Sequence, residues 1–440
     1  MSTQKLRLRR VAVTALSALM AAGLGVLVAQ PAAGESGDVP DLPLTQVDES
    51  WVSSSGEGWQ VSSAPTPIDA DAARAVAEDD EECSAVADDG TWTCLRTVDQ
   101  DLKKLPNLGS GVTDFEPYPI PEWCIEHGAS GITYVTRHNG CVISSHVFTV
   151  YQTRDGVPQV VGLMNFLVAD YIVTSPDSNF WQHQITVVPN ILTGEAVGVE
   201  VAGVPECASG PCVEEDVDFV PEALTAVGDE VSGLATWKWP VVAGGQGTSN
   251  TSWTLSFRAP TTQEWISGQY GNAADIRCDS ELINRVAGCV IPFATPTMTW
   301  AYWEFPDYAD HLIEAVNSGL PGANLGAGSV PLHRLMDDAL QQANRNLACP
   351  ASYPRPTGKS CDEYPFASTY EGASTGGGTG RTFDWCSIPQ LPTGVTGPTG
   401  YSSCMIDETN NSGAGGQLET RLYGPERVLD GDAFWVNFSG

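Results

Sequence analysis

Positive charge is what this 440-residue chain has least of: 21 Lys and Arg stand against 54 Asp and Glu, for a formal net charge of −33. Phosphate binding usually rests on a basic footprint, so this balance speaks against a nucleic-acid ligand held by the chain as a whole. The deficit is uneven. From residue 331 onward there are 7 Lys/Arg and 12 Asp/Glu, so only about −5 of the −33 lies there and about −28 lies upstream. The acidic bulk reads as a solubility feature, and a bound divalent cation would offset part of the remainder.

Other absences narrow the chemistry. No Cys-x-x-Cys pair occurs, which removes the usual zinc-site spacing. The six histidines, at 127, 138, 146, 183, 311 and 333, form no ligand-spaced pair such as His-Glu-x-x-His, and each reads as a surface or satisfied core histidine. Gly376 to Gly380 lacks a following Lys-Ser/Thr and reads as a linker rather than a phosphate cradle. There is no internal repeat, and a single long apolar run, Val11 to Val28.

That run follows Lys5, Arg7, Arg9 and Arg10 and precedes the small residues Ala32, Ala33 and Gly34. The pattern predicts a signal peptide over residues 1–34, a secreted, extracellular product and no stable membrane association after cleavage. Twelve cysteines agree with export and with disulfides. Sequence cannot dictate connectivity, but the positions group as neighbours: Cys83–Cys94, Cys124–Cys141, Cys207–Cys212, Cys278–Cys289, Cys349–Cys361 and Cys386–Cys404.

Residues 35–82 are rich in Ser, Pro, Gly, Asp and Glu, without sustained periodicity. They are expected to be a solvated acidic linker or propeptide. Residues 83–305 read as a disulfide-containing β-rich domain. Two β-prone runs, 131–136 and 141–151, flank His138-Asn139-Gly140, a tight-hairpin signal. Further short strands at 158–173, 182–188, 196–201 and 252–258 argue for an antiparallel sandwich. Trp181, His183, Trp237, Trp239 and Trp253 fit either its core or a sugar-binding platform, with core packing preferred.

Residues 306–440 are different. Helices are expected over 308–318, with Leu312, Ile313 and Val316 inward, and over 331–347. Arg334 and Arg345 on the second are either phosphate contacts or exposed solubilising residues. Strands are expected over 361–368, 382–388 and 433–438, and a helix over 411–423. Asp362 and Glu363 are adjacent, and on a strand they face opposite ways, which suits a base with an orienting partner. In the stretch from Asn410, Gly413 and Gly415 allow close backbone approach to a phosphate. A carboxylate on one element and Asn411 on the next can share one hard cation such as Mg2+ or Mn2+. Arg381 or Arg421 would hold the phosphate.

Four ordered blocks carry a family resemblance: Cys361-Asp-Glu-Tyr-Pro-Phe-Ala-Ser-Thr369, Tyr370-Glu-Gly372, Asn410-Asn-Ser-Gly-Ala-Gly-Gly-Gln-Leu418 and Leu429-Asp-Gly-Asp-Ala-Phe-Trp-Val436. Together they resemble the NucA/NucB family of secreted bacterial deoxyribonucleases. The resemblance implies a ββα-metal nuclease cutting DNA with one divalent ion, an acidic residue standing where related nucleases use histidine. By position it implies Asp362, Glu363 and Glu371 as catalytic groups, with Asp362, Glu363 and Asn411 toward the metal. The expected fold class is α+β: an upstream antiparallel β-sandwich-like domain, then a small ββα-metal-type nuclease domain, acting as a monomer on DNA. The alternative is a secreted cell-wall or glycan-binding protein whose nuclease-like domain is inactive. A glycosidase is disfavoured, because its two carboxylates must face each other across a bond.

Overall fold

The computed structural model describes residues 52–56, 58–68, 81–98, 118–127, 131–271 and 274–439. The chain divides into two units, Met1–Asp38 and Val39–Gly440, and the first, with the whole of the expected signal peptide, lies outside the described residues. No helix among those residues is long and apolar enough to cross a membrane.

The upstream half is two antiparallel sheets packed face to face. One runs in the spatial order Val213–Phe219, Val231–Lys238, Phe180–Gly194, Val157–Thr174, Asn139–Arg154, Thr91–Val98 and Glu81–Cys83. The other is built on Val199–Ser209 and Gln246–Arg258. Apolar residues from both inner faces interdigitate: Phe166 meets Phe257 with ring centroids 4.9 Å apart. Burial of such alternating faces is the main stabilising term of a sandwich. Trp181, Trp237, Trp239, Trp253 and His183 are all buried here, so the sugar-platform reading of these residues falls. The fold as a whole is α+β, mostly strand, with the upstream sheets sandwich-like.

The expected hairpin exists, displaced toward its N-terminal arm. Thr136 N donates to Asn139 O at 2.8 Å, and Gly140 already pairs with Val135, so the tip is formed by Arg137 and His138. Both are buried. Arg137 donates to the carbonyls of Glu426 and Arg427, while His138 Nε2 lies 3.0 Å from Glu426 Oε2. Arg427 in return reaches Asp279, and Arg277 reaches Asp432. The loop at 424–432 is therefore tied to the sandwich by buried guanidinium groups, those of Arg137 and Arg427 bonded at every nitrogen, the arrangement in which desolvating a charge is offset.

A five-stranded sheet joins segments distant in sequence: Val52–Gly56, Trp59–Ser62, Thr297–Ala301, Ala433–Ser439 and Leu332–His333. This corrects part of the expected linker. Val52–Gly56 and Trp59–Ser62 are strands, and Val61 is fully buried among Met298, Trp300 and Val436. Val52–Gly56 is the edge strand, where its polar composition suits it, and Trp59–Ser62 pairs on its other side with a strand over 230 residues downstream. The helix expected over 331–347 likewise starts late: Leu332 pairs with Phe434, and the helix runs Asp338–Ala348 behind an Asp337 N-cap.

Candidate active site

A small three-stranded sheet carries the residues of interest. Lys359–Tyr364 pairs antiparallel with Tyr401–Asp407, placing Asp362 opposite Cys404 and Glu363 opposite Ser403; Gly380–Arg381 adds a short parallel edge. The expected strand at 382–388 is instead a 3-10 turn, Asp384–Cys386, fastened by Cys386–Cys404 to the strand at 401–407 that sequence reading missed. Cys349–Cys361 ties the first strand to the end of the Asp338–Ala348 helix. All six neighbour pairings are formed in the structure.

Alternation along Lys359–Tyr364 sends Ser360, Asp362 and Tyr364 to one face and Cys361 and Glu363 to the other. The first face is covered by the Pro306–Asn317 helix. From it the buried His311 places Nδ1 2.6 Å from Asp362 Oδ2 and Nε2 2.9 Å from Ser402 Oγ, and Ser402 Oγ also donates to Tyr364 O at 3.3 Å. On that helix Tyr308, His311, Leu312 and Ala315 form the buried stripe, whereas Ile313, expected inward, is exposed. The stripe was legible as a histidine at helical spacing among apolar residues, a pattern easily read as core. Tyr308 is buried with its hydroxyl unpartnered among the described residues, and burial together with the charge of Asp362 holds its pKa well above the ordinary value.

The Glu408–Gln417 helix packs beside this face. Asp407 caps it by accepting from Thr409 N and Asn410 N, and these backbone bonds hold the Asp407 carboxyl below its usual range. The helix thus begins three residues earlier than expected, and Asn411 sits inside its first turns rather than ahead of it. Asn411 Nδ2 donates to Ser360 Oγ at 2.9 Å and Cys361 O at 3.2 Å, which turns its carbonyl oxygen away from the strand backbone. From the helix, Asn411 therefore reaches the strand face that carries Ser360 and, by alternation, Asp362.

Glu363 does not join them. It is half-buried on the opposite face, its pKa pushed up to about 8 by burial first and by the Asp362 charge second. Glu371 is held elsewhere: its carboxylate accepts from His333 N at 2.9 Å and lies 2.8 Å from His333 Nδ1. Arg381 is spent on structure, with its guanidinium buried and bonded to Ser318 O, Ser318 Oγ, Gly397 O and Thr399 O. That corrects its expected role as a phosphate ligand. Gly413 and Gly415 lie within the helix, where amides bond to carbonyls four residues back, so the expected phosphate cradle is not formed. A side chain at Gly413 would meet Phe305 at 2.6 Å, so packing explains that glycine; Gly415 faces open space. Arg421 is exposed and stacks over Trp59 at 4.6 Å. Arg334 is buried against Tyr423 and Val428 O, while Arg345 lies on an exposed face.

Among the described residues, one group of three His, Cys, Asp or Glu has ligand atoms close together, Glu81, Cys83 and Cys94. Its cysteines form a disulfide, which removes the thiolates a metal would need. With both His311 nitrogens already bonded, the donors left at the Asp362 face are oxygens, chiefly a carboxylate and an amide carbonyl. Such a sparse, hard set fits a cation that keeps several waters for a phosphate to displace.

The fold class is α+β, and the candidate site joins a strand carboxylate to an amide that reaches the same strand from the following helix. Residues 330–437, which contain Asp362 and Asn411, match the family described as Deoxyribonuclease NucA/NucB. The match identifies the C-terminal segment as a nuclease-family domain; the helix bearing His311 lies outside it. No curated protein matches the chain.

Proposed function

We infer that this protein is a secreted, metal-dependent endonuclease that hydrolyses DNA phosphodiester bonds through residues 306–440. The strands at 359–364 and 401–407 and the helix at 408–417 then serve as the ββα unit, with residues 83–305 as the β-rich domain packed against it. The observation that carries this reading is the convergence of Asp362 and Asn411 on one strand face, within the segment matched to the nuclease family.

In this reading Asn411 Oδ1 would help hold one Mg2+ or Mn2+, which when bound supplies Lewis acidity at the phosphate and the leaving oxygen. Asp362 accepts the proton of the attacking water. The water oxygen bonds to phosphorus, the P–O bond to the leaving deoxyribose breaks, and the departing oxygen takes a proton from solvent. Glu363, on the far face, acts behind the strand rather than as a ligand. Of Arg381 and Arg421, only Arg421 is exposed and able to meet the DNA backbone, after leaving its stacking partner. Six disulfides fit an extracellular, oxidising setting.

The test is direct. Supercoiled plasmid incubated with the mature protein and Mg2+ or Mn2+ becomes nicked, and EDTA stops the reaction. Intact plasmid with every divalent ion tried overturns the assignment.

A further inference from the structure

We propose that His311, supplied by the Pro306–Asn317 helix outside the family-matched segment, is the positioning residue for Asp362, so that the working nuclease unit must include that helix. The proposal rests on the nuclease reading above.

The geometry is a relay of fixed contacts. Both imidazole nitrogens are occupied, Nδ1 by Asp362 Oδ2 at 2.6 Å and Nε2 by Ser402 Oγ at 2.9 Å. Ser402 sits on the neighbouring strand and is anchored to the Tyr364 carbonyl of the strand that carries Asp362. The ring therefore cannot rotate without breaking two bonds, and it fixes which carboxylate oxygen points inward. Nδ1 carries a proton whenever it donates to the carboxylate, in the neutral tautomer and in the imidazolium alike, so the positioning role does not depend on the ring's charge.

The same three residues have the order of a serine-nucleophile triad, and that reading fails on access. Ser402 and His311 are each 0 % exposed, so no ester or amide could reach the hydroxyl. The reactive end of the relay is Asp362, the member with residual exposure, its side chain being 7 % accessible. His311 acts on substrate only through that carboxylate.

Four proteins test this: wild type, His311→Leu, His311→Asn and Ser402→Ala. Asn places an amide N–H near the position of Nδ1 and keeps the bond to Asp362, whereas Leu removes it. His311→Leu should lose nicking kcat by roughly 10–100-fold, the range seen when a group that orients a site residue is removed. KM should stay within about twofold, because ground-state DNA binding is untouched. His311→Asn should recover most of the kcat, and Ser402→Ala should fall between the two. A readout independent of activity is the far-downfield imidazole proton of the Nδ1–H to carboxylate bond, seen by NMR in the wild type and missing one signal in His311→Leu and in Asp362→Ala. Equal kcat in His311→Leu and wild type, or no rescue by Asn at matched melting temperature, overturns the positioning role while leaving the nuclease reading intact. If His311→Leu does not fold, the ratio of His311→Asn to Ser402→Ala decides: Asn more impaired than Ser402→Ala defeats the proposal. A wild type that cuts no DNA defeats both.

Discussion

The two halves of the molecule each contain a buried histidine–aspartate pair, built to nearly the same pattern. In the sandwich, His183 Nε2 lies 2.7 Å from Asp170 Oδ2 and its Nδ1 2.9 Å from Thr251 Oγ1. In the C-terminal region, His311 bonds Asp362 at 2.6 Å and Ser402 at 2.9 Å. What differs is the second carboxylate oxygen. Asp170 Oδ1 is sealed in the core without a partner, whereas the Asp362 side chain keeps some access and shares its strand face with Asn411. Pair geometry alone therefore says nothing about chemistry; the surroundings of the unused oxygen decide whether the pair is a cross-link or the back of a site.

Neutralising each aspartate in turn separates the two pairs. Asp362→Asn should lower plasmid nicking by about 10²–10⁴-fold, the usual worth of a positioned base, while Asp170→Asn leaves the rate per folded molecule unchanged. Equal loss in both would show that the two pairs do the same job.

A second contrast is in stability. His183→Leu leaves Asp170 buried without its partner and should cost about 1–3 kcal/mol in urea unfolding, measured against wild type at the same pH. The nicking rate of the remaining folded protein should not change. If His183→Leu abolishes nicking at full folding, the sandwich is coupled to the site in a way its geometry does not suggest.

The smallest effect concerns Glu363, on the reverse of the Asp362 strand. Its raised pKa means that the folded state favours the protonated form. The stability it contributes is complete below its ordinary value of 4.5 and lost as pH rises through about 8. Glu363→Gln, which cannot ionise, should therefore melt at the wild-type temperature in acid and ~2–4 °C higher than wild type above pH 8. Matching melting curves at both ends of that window would show that Glu363 ionises as freely in the folded protein as in the unfolded chain.

Much of the architecture was legible because its causes are local. Neighbouring cysteines close short loops, alternating Val and Ile mark buried strand faces, and the runs around His138-Asn139-Gly140 have to turn. Asp362 stood out by its neighbours, and its opposition to Glu363 followed from strand geometry. Other features escaped because their partners are remote. Residues 52–62 look like solvated linker until Thr297–Ala301 offers them an edge. The strand at 401–407 follows a Pro/Thr/Gly loop that masks it, and the equally long Thr382–Ile388 run reads as the better candidate. Arg381 read as a phosphate ligand because nothing near it in sequence announces that four main-chain and side-chain oxygens from 318, 397 and 399 surround it.

By itself, the amino-acid order determined the disulfide-rich β character of the chain, the nuclease-like segment and the carboxylate on which the chemistry is proposed to turn. Tertiary structure alone decided that Asp362 rather than Glu363 shares a face with Asn411, that Arg381 is consumed by packing, and that the partner of Asp362 comes from a helix 51 residues upstream. The reason is physical: side-chain alternation and loop closure act over a few residues, whereas which buried polar groups satisfy one another depends on surfaces that meet only when the whole core has closed.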